Sequence, residues 1–155
     1  MNADAEPLWL QYLDQVPDAD SARRWLYETC RLGNSPNRAD DSSLLVTRGL
    51  KTAMGSLLWQ FHAQHRPLPQ IGSLRILENG RDEAVCVIQT TQLATRPFRE
   101  VDTRFAYDNG EWDRSLKTWR LEYWQDFSAQ CTALGREAAH TMPILCERFR
   151  IVHQR

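Results

Sequence analysis

Apolar positions recur every three or four residues through the first third of the chain, then on alternate residues in the middle and at the end. Leu8, Tyr12, Leu13 and Val16 trace one face of a first helix, which Pro17 closes. Asp20 and Ser21 offer a cap for a second helix, with Ala22, Trp25, Leu26 and Cys30 on one side and Gly33 at its end. Residues 33–37 read as a loop, and a third helix is expected over about residues 39–48, interrupted by Gly49. From Ala53, the spacing of Met54, Leu57, Leu58 and Phe61 restores a helical stripe. Leu50, Lys51 and Thr52 then fall at a junction between two helical pieces, where they would face a cleft.

After Arg66-Pro67-Leu68-Pro69 the period changes. Residues 73–78 read as a strand, Asn79-Gly80 as a tight hairpin turn, and residues 84–93 as a longer strand that Pro97 ends. A turn-rich stretch from Asp108 to Trp112 leads to Asp113, a candidate N-cap. Leu116, Trp119, Arg120, Tyr123, Phe127, Cys131 and Leu134 trace a long helix that Gly135 stops. Residues 142–153 alternate as a last strand, with Leu145, Phe149 and Ile151 on one side and Cys146 and Val152 on the other. Helices, then strands, then a helix and a closing strand predict an α+β domain, and a last strand returning to the first two suits a small mixed barrel. One domain is expected over 1–155, with a core at about 25–153 and residues 1–20 as a helical extension.

Composition narrows the partners. Apolar residues make up 42% and charged residues 25%, ordinary for a globular chain, while six Trp, four Tyr and five Phe can fill a core or line a groove. The net charge of −1 gives no basic field for coating duplex, so any nucleic acid would be held by a local pocket. Cys30, Cys86, Cys131 and Cys146 are widely spaced among apolar neighbours and read as buried free thiols of a reducing compartment, the cytosol. The acidic start of the chain lacks the blocks of a secretory signal, and no apolar run reaches the roughly 20 residues of a membrane helix.

His62 and His65 stand three apart with no third ligand nearby, and His140 and His153 are isolated. There is no Gly-rich phosphate loop, G-x-S-x-G elbow or H-E-x-x-H. Two stretches carry more. In residues 49–56, Gly49 permits a sharp turn, Lys51 presents a cation suited to phosphate or a base carbonyl, and Thr52 and Ser56 offer hydroxyls. In residues 109–116, Glu111, Asp113 and Ser115 precede a helix, where the plain reading is a capped N-terminus.

Taken in order, five motifs resemble the larger bacterial members of the ASCH family. They are G-x-K-T-A at 49–53, L-P-x-x-G at 68–72, P-F-x-x-V at 97–101, G-E-x-D-x-S-L-x-x-W-R at 110–120 and C-E-R-F-x-x-V at 146–152. The resemblance implies a PUA-like β-barrel with helices around it and a cleft beside the Gly-x-Lys motif, sized for a nucleobase and its sugar. It links the chain to RNA binding, RNA cleavage and amide hydrolysis on N4-acylated cytidine. Lys51, Glu111, Asp113, Ser115, Trp119 and Arg120 match motif positions. Met54 stands where many relatives have the Thr of the amide-hydrolysing group, Asn109 where they have an acidic residue, Trp112 where they have Gly, and Tyr123 where they often have His. A thioether cannot act as a nucleophile and an amide cannot act as a general base, so the amidohydrolase mechanism is not carried over unchanged.

The leading expectation is a module binding single-stranded RNA or a modified nucleoside. Lys51, Thr52 and Asp113 would line the site, Arg120 would pair with phosphate or hold the acidic loop, and Trp112 or Tyr123 would stack on a base. The alternative is a ribonuclease in which the RNA 2′-hydroxyl attacks, Lys51 stabilises phosphate charge, Glu111 is the base and Ser115 positions, with Mg²⁺ or Mn²⁺ recruited loosely by Glu111 and Asp113. A deacylase using Thr52 or Ser56, and a protein-interaction role with a vestigial pocket, complete the set.

Overall fold

Side-chain caps at Ser35, Asp102 and Ser115 start three of the described helices, the first of them inside the stretch expected to be a loop. A computed structural model describes residues 4–24 and 28–154. Helices α1 (Ala5–Gln15) and α2 (Ala19–Arg24) are followed by a short strand β1 (Glu28–Cys30). Helix α3 (Pro36–Thr47) begins at Ser35, whose side chain accepts from Arg38 N, with Pro36 in the first turn. Then come β2 (Ala53–Leu57), α4 (Leu58–Ala63), β3 (Leu74–Glu78), β4 (Ala84–Pro97), a 3₁₀ turn at Phe98–Glu100, α5 (Thr103–Asn109), α6 (Leu116–Ala133) and β5 (Pro143–Gln154). The five strands form one mixed sheet in the order β1-β3-β4-β5-β2, in agreement with the α+β expectation. No described helix is long and apolar enough to cross a membrane.

The chain divides into two units, and strands β4 and β5 each contribute to both. In the first unit (1–50, 70–91 and 149–155), α1 buries Ala5, Leu8, Trp9, Tyr12 and Leu13 against Leu74, Ile76, Ala84 and Val87 of β3 and β4. Helix α1 therefore packs on strands through an apolar face, with Asp4 accepting from Ala84 N. In the second unit (51–69 and 92–148), α6 lays Trp119, Tyr123, Phe127 and Cys131 on Ala53, Leu57, Ile144 and Cys146 of β2 and β5. Phe98, Val101 and Phe105 close that core, with the Phe98 ring stacked on Trp119 at 5.5 Å.

Three elements differ from expectation. Cys30 lies in a strand, not at the end of a helix, because Glu28, Thr29 and Cys30 pair in parallel with Arg75, Ile76 and Leu77. Trp25 and Leu26 lie outside the described residues. Residues 53–57 are also a strand. Their helix-like spacing is outweighed by antiparallel pairing with residues 144–148, and Gly55, a poor helix former, suits the close approach needed there. A Cβ at position 55 would meet Trp119 Cζ2 and Ile144 Cγ2 at 3.3 Å. Finally, α5 occupies a stretch with no helical periodicity. Asp102 caps it by accepting from Phe105 N, and Gly110 ends it in the left-handed region at φ 77°. The cap of α6 is Ser115, two residues later than expected, and Asp113 supports that cap from outside.

Candidate functional site

The junction after Gly49 places Lys51 inside the second unit. Gly49 turns the chain at φ 76°, and Thr52 N donates to Asp108 O at 2.8 Å, pinning the segment to the end of α5. The Lys51 side chain is 1% exposed. Its ammonium donates to Ala53 O at 3.0 Å and Asn109 O at 3.1 Å, and lies 3.6 Å from Glu111 Oε2. Glu111 Oε2 also accepts from Asn109 Nδ2 at 2.7 Å and from Tyr123 Oη at 2.8 Å. Four residues from three parts of the sequence thus form one buried ionic network. Its charges neutralise each other, which is how a protein tolerates a lysine at this depth.

The other predicted residues are placed elsewhere. Thr52 Oγ1 donates to Asp108 O at 3.4 Å. Ser115 Oγ accepts from Thr118 N and donates to Asp113 Oδ1 at 2.7 Å, and Asp113 Oδ2 accepts from Thr118 Oγ1. These bonds from Ser115 and Thr118 hold the Asp113 carboxyl below the usual carboxylate range. Arg120 donates to Arg99 O at 3.1 Å and Val101 O at 3.4 Å, tying α6 to the 3₁₀ turn. Tyr123 is buried, its ring stacked on Trp119 at 4.7 Å. Trp112 is 42% exposed and meets Tyr123 edge-on. Both Trp112 (φ 55°) and Arg114 (φ 64°) sit in the left-handed region, a conformation costing about 1–3 kcal/mol for such residues and often found at ligand-facing loops.

A cleft of about 110 Å³ opens in the same unit, where β4, β5 and α5 converge. Its polar lining is Gln92, Arg96, Asp102 and Arg148, and its apolar lining includes Leu93, Val101, Phe105 and Cys146. Strand pairing explains the placement. Arg148 lies opposite Ala53 and Cys146 opposite Gly55, so these four share the face that meets α5 and α6. Met54 and Ser56 alternate to the other face, with Glu147 and Leu145. No residue of the Gly-x-Lys motif lines this cleft, whereas Val101 of the P-F-x-x-V motif and Cys146 and Arg148 of the C-E-R-F motif do. Neither motif had suggested chemistry by itself.

Arg148 is held in place by Asp108, to which it donates, and lies over the Phe105 ring at 5.6 Å. Asp108 also accepts from Arg104 Nε at 3.0 Å. Burial raises the Asp108 carboxyl, but the bonds and charges of Arg148 and Arg104 outweigh it and leave the carboxyl below its ordinary value. A carboxyl depressed in the folded state contributes stability above its unfolded value, and that contribution is lost as pH falls through the folded value. Urea unfolding is thus expected to show stability falling below about pH 3.8, with Asp108→Asn flattening that acid limb. Cys146 responds oppositely: burial pushes its thiol up to about 11, so it enters the cleft as a neutral, weakly polar group at neutral pH. Among the described residues, no three His, Cys, Asp or Glu side chains are grouped to hold a metal ion.

Comparison with known proteins bears on the family and the fold. Residues 28–153 match the family model of the ASCH domain. The fold is similar to an ASCH domain from Lactobacillus crispatus, at 27% identity and a TM-score of 0.92 over 98% of this chain and 96% of that one. It is also similar to a protein from Enterococcus faecalis, at 22% identity and a TM-score of 0.84 over 97% of this chain and 89% of that one. No curated protein matches the chain.

Proposed function

Because the chain belongs to the ASCH domain family, whose members are generally associated with RNA, we propose that it binds unpaired RNA by taking one nucleotide into the cleft between β4, β5 and α5. The observation that carries this reading is the lining of that cleft. Two guanidiniums, Arg96 and Arg148, suit phosphate or a base carbonyl. Gln92 and Asp102 offer an amide and a carboxylate for the hydrogen-bonding edge of a base, above an apolar wall that includes Phe105 and Val101. A net charge of −1 supports a pocket of this kind over a surface that binds duplex by charge alone.

In this reading Lys51 acts from beneath. Its ammonium is committed to backbone carbonyls and Glu111, and through Asn109 and Ala53 it fixes the two segments that carry the neighbours of the cleft. The ribonuclease alternative, with Lys51, Glu111 and Ser115 as the working group, draws less support from the geometry. Ser115 belongs to the α6 cap, while Lys51 and Glu111 neutralise each other. The deacylase alternative meets Ser56 on the sheet face opposite the cleft.

The test is fluorescence anisotropy with a short labelled single-stranded RNA, and the same mixtures run on a gel for cleavage with and without Mg²⁺ or Mn²⁺. Arg148→Gln is expected to weaken binding about 10- to 150-fold, the worth of one hydrogen bond to a charged group. It should also flatten the slope of log affinity against log salt by about 0.7, one phosphate contact. Thermal unfolding of the variant checks that the Asp108 contact is not needed for folding, and Arg148→Lys should recover part of the affinity. Unchanged RNA affinity in a folded Arg148→Gln protein would count against the cleft. Cleavage abolished by Glu111→Gln would favour the ribonuclease instead.

A further inference from the structure

We propose that the outer surface of residues 104–114 is a second subsite, where a base of the same strand stacks on Tyr107 and Trp112, so that the ligand is a strand of several nucleotides and not a free nucleoside. The proposal rests on the cleft reading for its anchor and adds the path the strand takes away from it. Tyr107 is 51% exposed and Trp112 42% exposed, and both lie within the second unit, which also contains the cleft. Arg114 lays its guanidinium over the Tyr107 ring at 3.6 Å and fixes it there by donating from Nε to Tyr107 O at 3.0 Å. A planar guanidinium locked on an aromatic ring is a preorganised surface for an unpaired base, because both groups stack and the cation also attracts phosphate.

The backbone holds these side chains outward. Trp112 and Arg114 are two of the four described non-glycine residues with positive φ, and both lie in the loop between α5 and α6. Trp112 rests edge-on against Tyr123 and still leaves 42% of its surface exposed, an aromatic area on which a base can stack. Helical geometry connects the loop to the cleft. At about 100° per residue, Phe105 faces the cleft side of α5, and the half-buried Asp108 and the exposed Arg104 and Tyr107 follow in order around the helix. Asp108 holds Arg148 in the cleft with one hand and Arg104 with the other, and the Arg104 side chain is 80% exposed. A strand leaving the cleft at Arg148 would therefore pass Arg104, a cation for its phosphate, before reaching Tyr107 and Trp112. The partner that fits alternating cations and aromatic faces is single-stranded nucleic acid.

The experiment compares uridine 5′-monophosphate with labelled hexauridylate on the wild-type chain and on Tyr107→Ala, Trp112→Ala and Arg148→Gln, each checked by circular dichroism. Hexauridylate is expected to bind more tightly than the mononucleotide. Tyr107→Ala and Trp112→Ala should each weaken hexauridylate binding by about 5- to 150-fold and leave the mononucleotide unchanged, with Trp112→Phe retaining most of the affinity. If the aromatic variants bind hexauridylate like wild type while Arg148→Gln weakens both probes, the second subsite is overturned and the cleft stands. If the aromatic variants weaken hexauridylate and Arg148→Gln changes nothing, the cleft fails and the stacking surface stands. Binding of neither probe overturns both.

Discussion

Lys51→Ala is expected to destabilise the protein by about 3–5 kcal/mol, measured by urea unfolding at neutral pH. The ammonium is nearly inaccessible to water and faces two carbonyls and the Glu111 carboxylate. Removing it leaves Glu111 as a charge only 10% exposed, supported by the Tyr123 hydroxyl and the Asn109 amide but no longer neutralised. The carbonyls of Ala53 and Asn109 lose a donor at the same time, and the space of the lysine stem is emptied. Against a total stability of about 5–15 kcal/mol, such a loss would leave some fraction of the protein unfolded. Lys51→Met separates the packing loss from the rest, because it keeps most of the volume and removes the ammonium with its charge and its donors. Adding Glu111→Gln to Lys51→Met should restore part of the loss, a coupling that a solvated surface lysine would not show. A loss below about 1 kcal/mol would mean that the network does not form in solution. The consequence for function is practical. Reduced RNA retention in a Lys51 variant would report on folding, so Arg148 is the cleaner probe of the cleft.

Gly80→Ala is expected to cost about 3 kcal/mol, at the upper end of overpacking effects. A Cβ on Gly80 would lie 2.0 Å from Pro36 O and 2.6 Å from Pro36 C, and these are backbone atoms with no rotamer to escape into. Any relief must move the start of α3 or the 79–83 loop. Moving either one also strains the bond from Gly80 N to Asp40 Oδ1 at 2.8 Å. Thermal unfolding of Gly80→Ala beside Gly135→Ala makes the contrast. Gly135 has φ 70° but nothing within 4 Å of its Cβ, so its substitution should cost only the backbone penalty of about 1–2 kcal/mol. Equal losses at the two positions would mean that the Pro36 contact is looser than described.

Gly80 also shows how a sequence signal can be read correctly and explained wrongly. Asn79-Gly80 predicts a break between two strands, and β3 and β4 do flank it. The tight hairpin turn behind that expectation requires left-handed glycine, and Gly80 is not among the residues with positive φ. The loop is longer and is organised by the Asn79 side chain, which accepts from Arg81 N and Glu83 N. Asp82 takes the left-handed conformation instead. The glycine is needed because α3 comes close, and no local pattern records that contact.

The same division runs through the site. Sequence alone determined the α+β class, the long α6 stripe of Trp119, Tyr123, Phe127 and Cys131, and the family, through five ordered motifs. Those features depend on local periodicity and on residue types at fixed spacing, which the chain carries in one dimension. Tertiary structure decided the rest. Residues 53–57 became a strand because residues 144–148 were there to pair with them, and that pairing set Arg148 and Cys146 on the cleft face and Met54 on the other. Lys51 reads as a cation offered to a ligand in a cleft until Asn109, 58 residues away, and Glu111 are seen to hold it inside. Burial, register and the sharing of one carboxylate between two guanidiniums are properties of contacts between distant segments, so their physical cause first exists when the chain has folded.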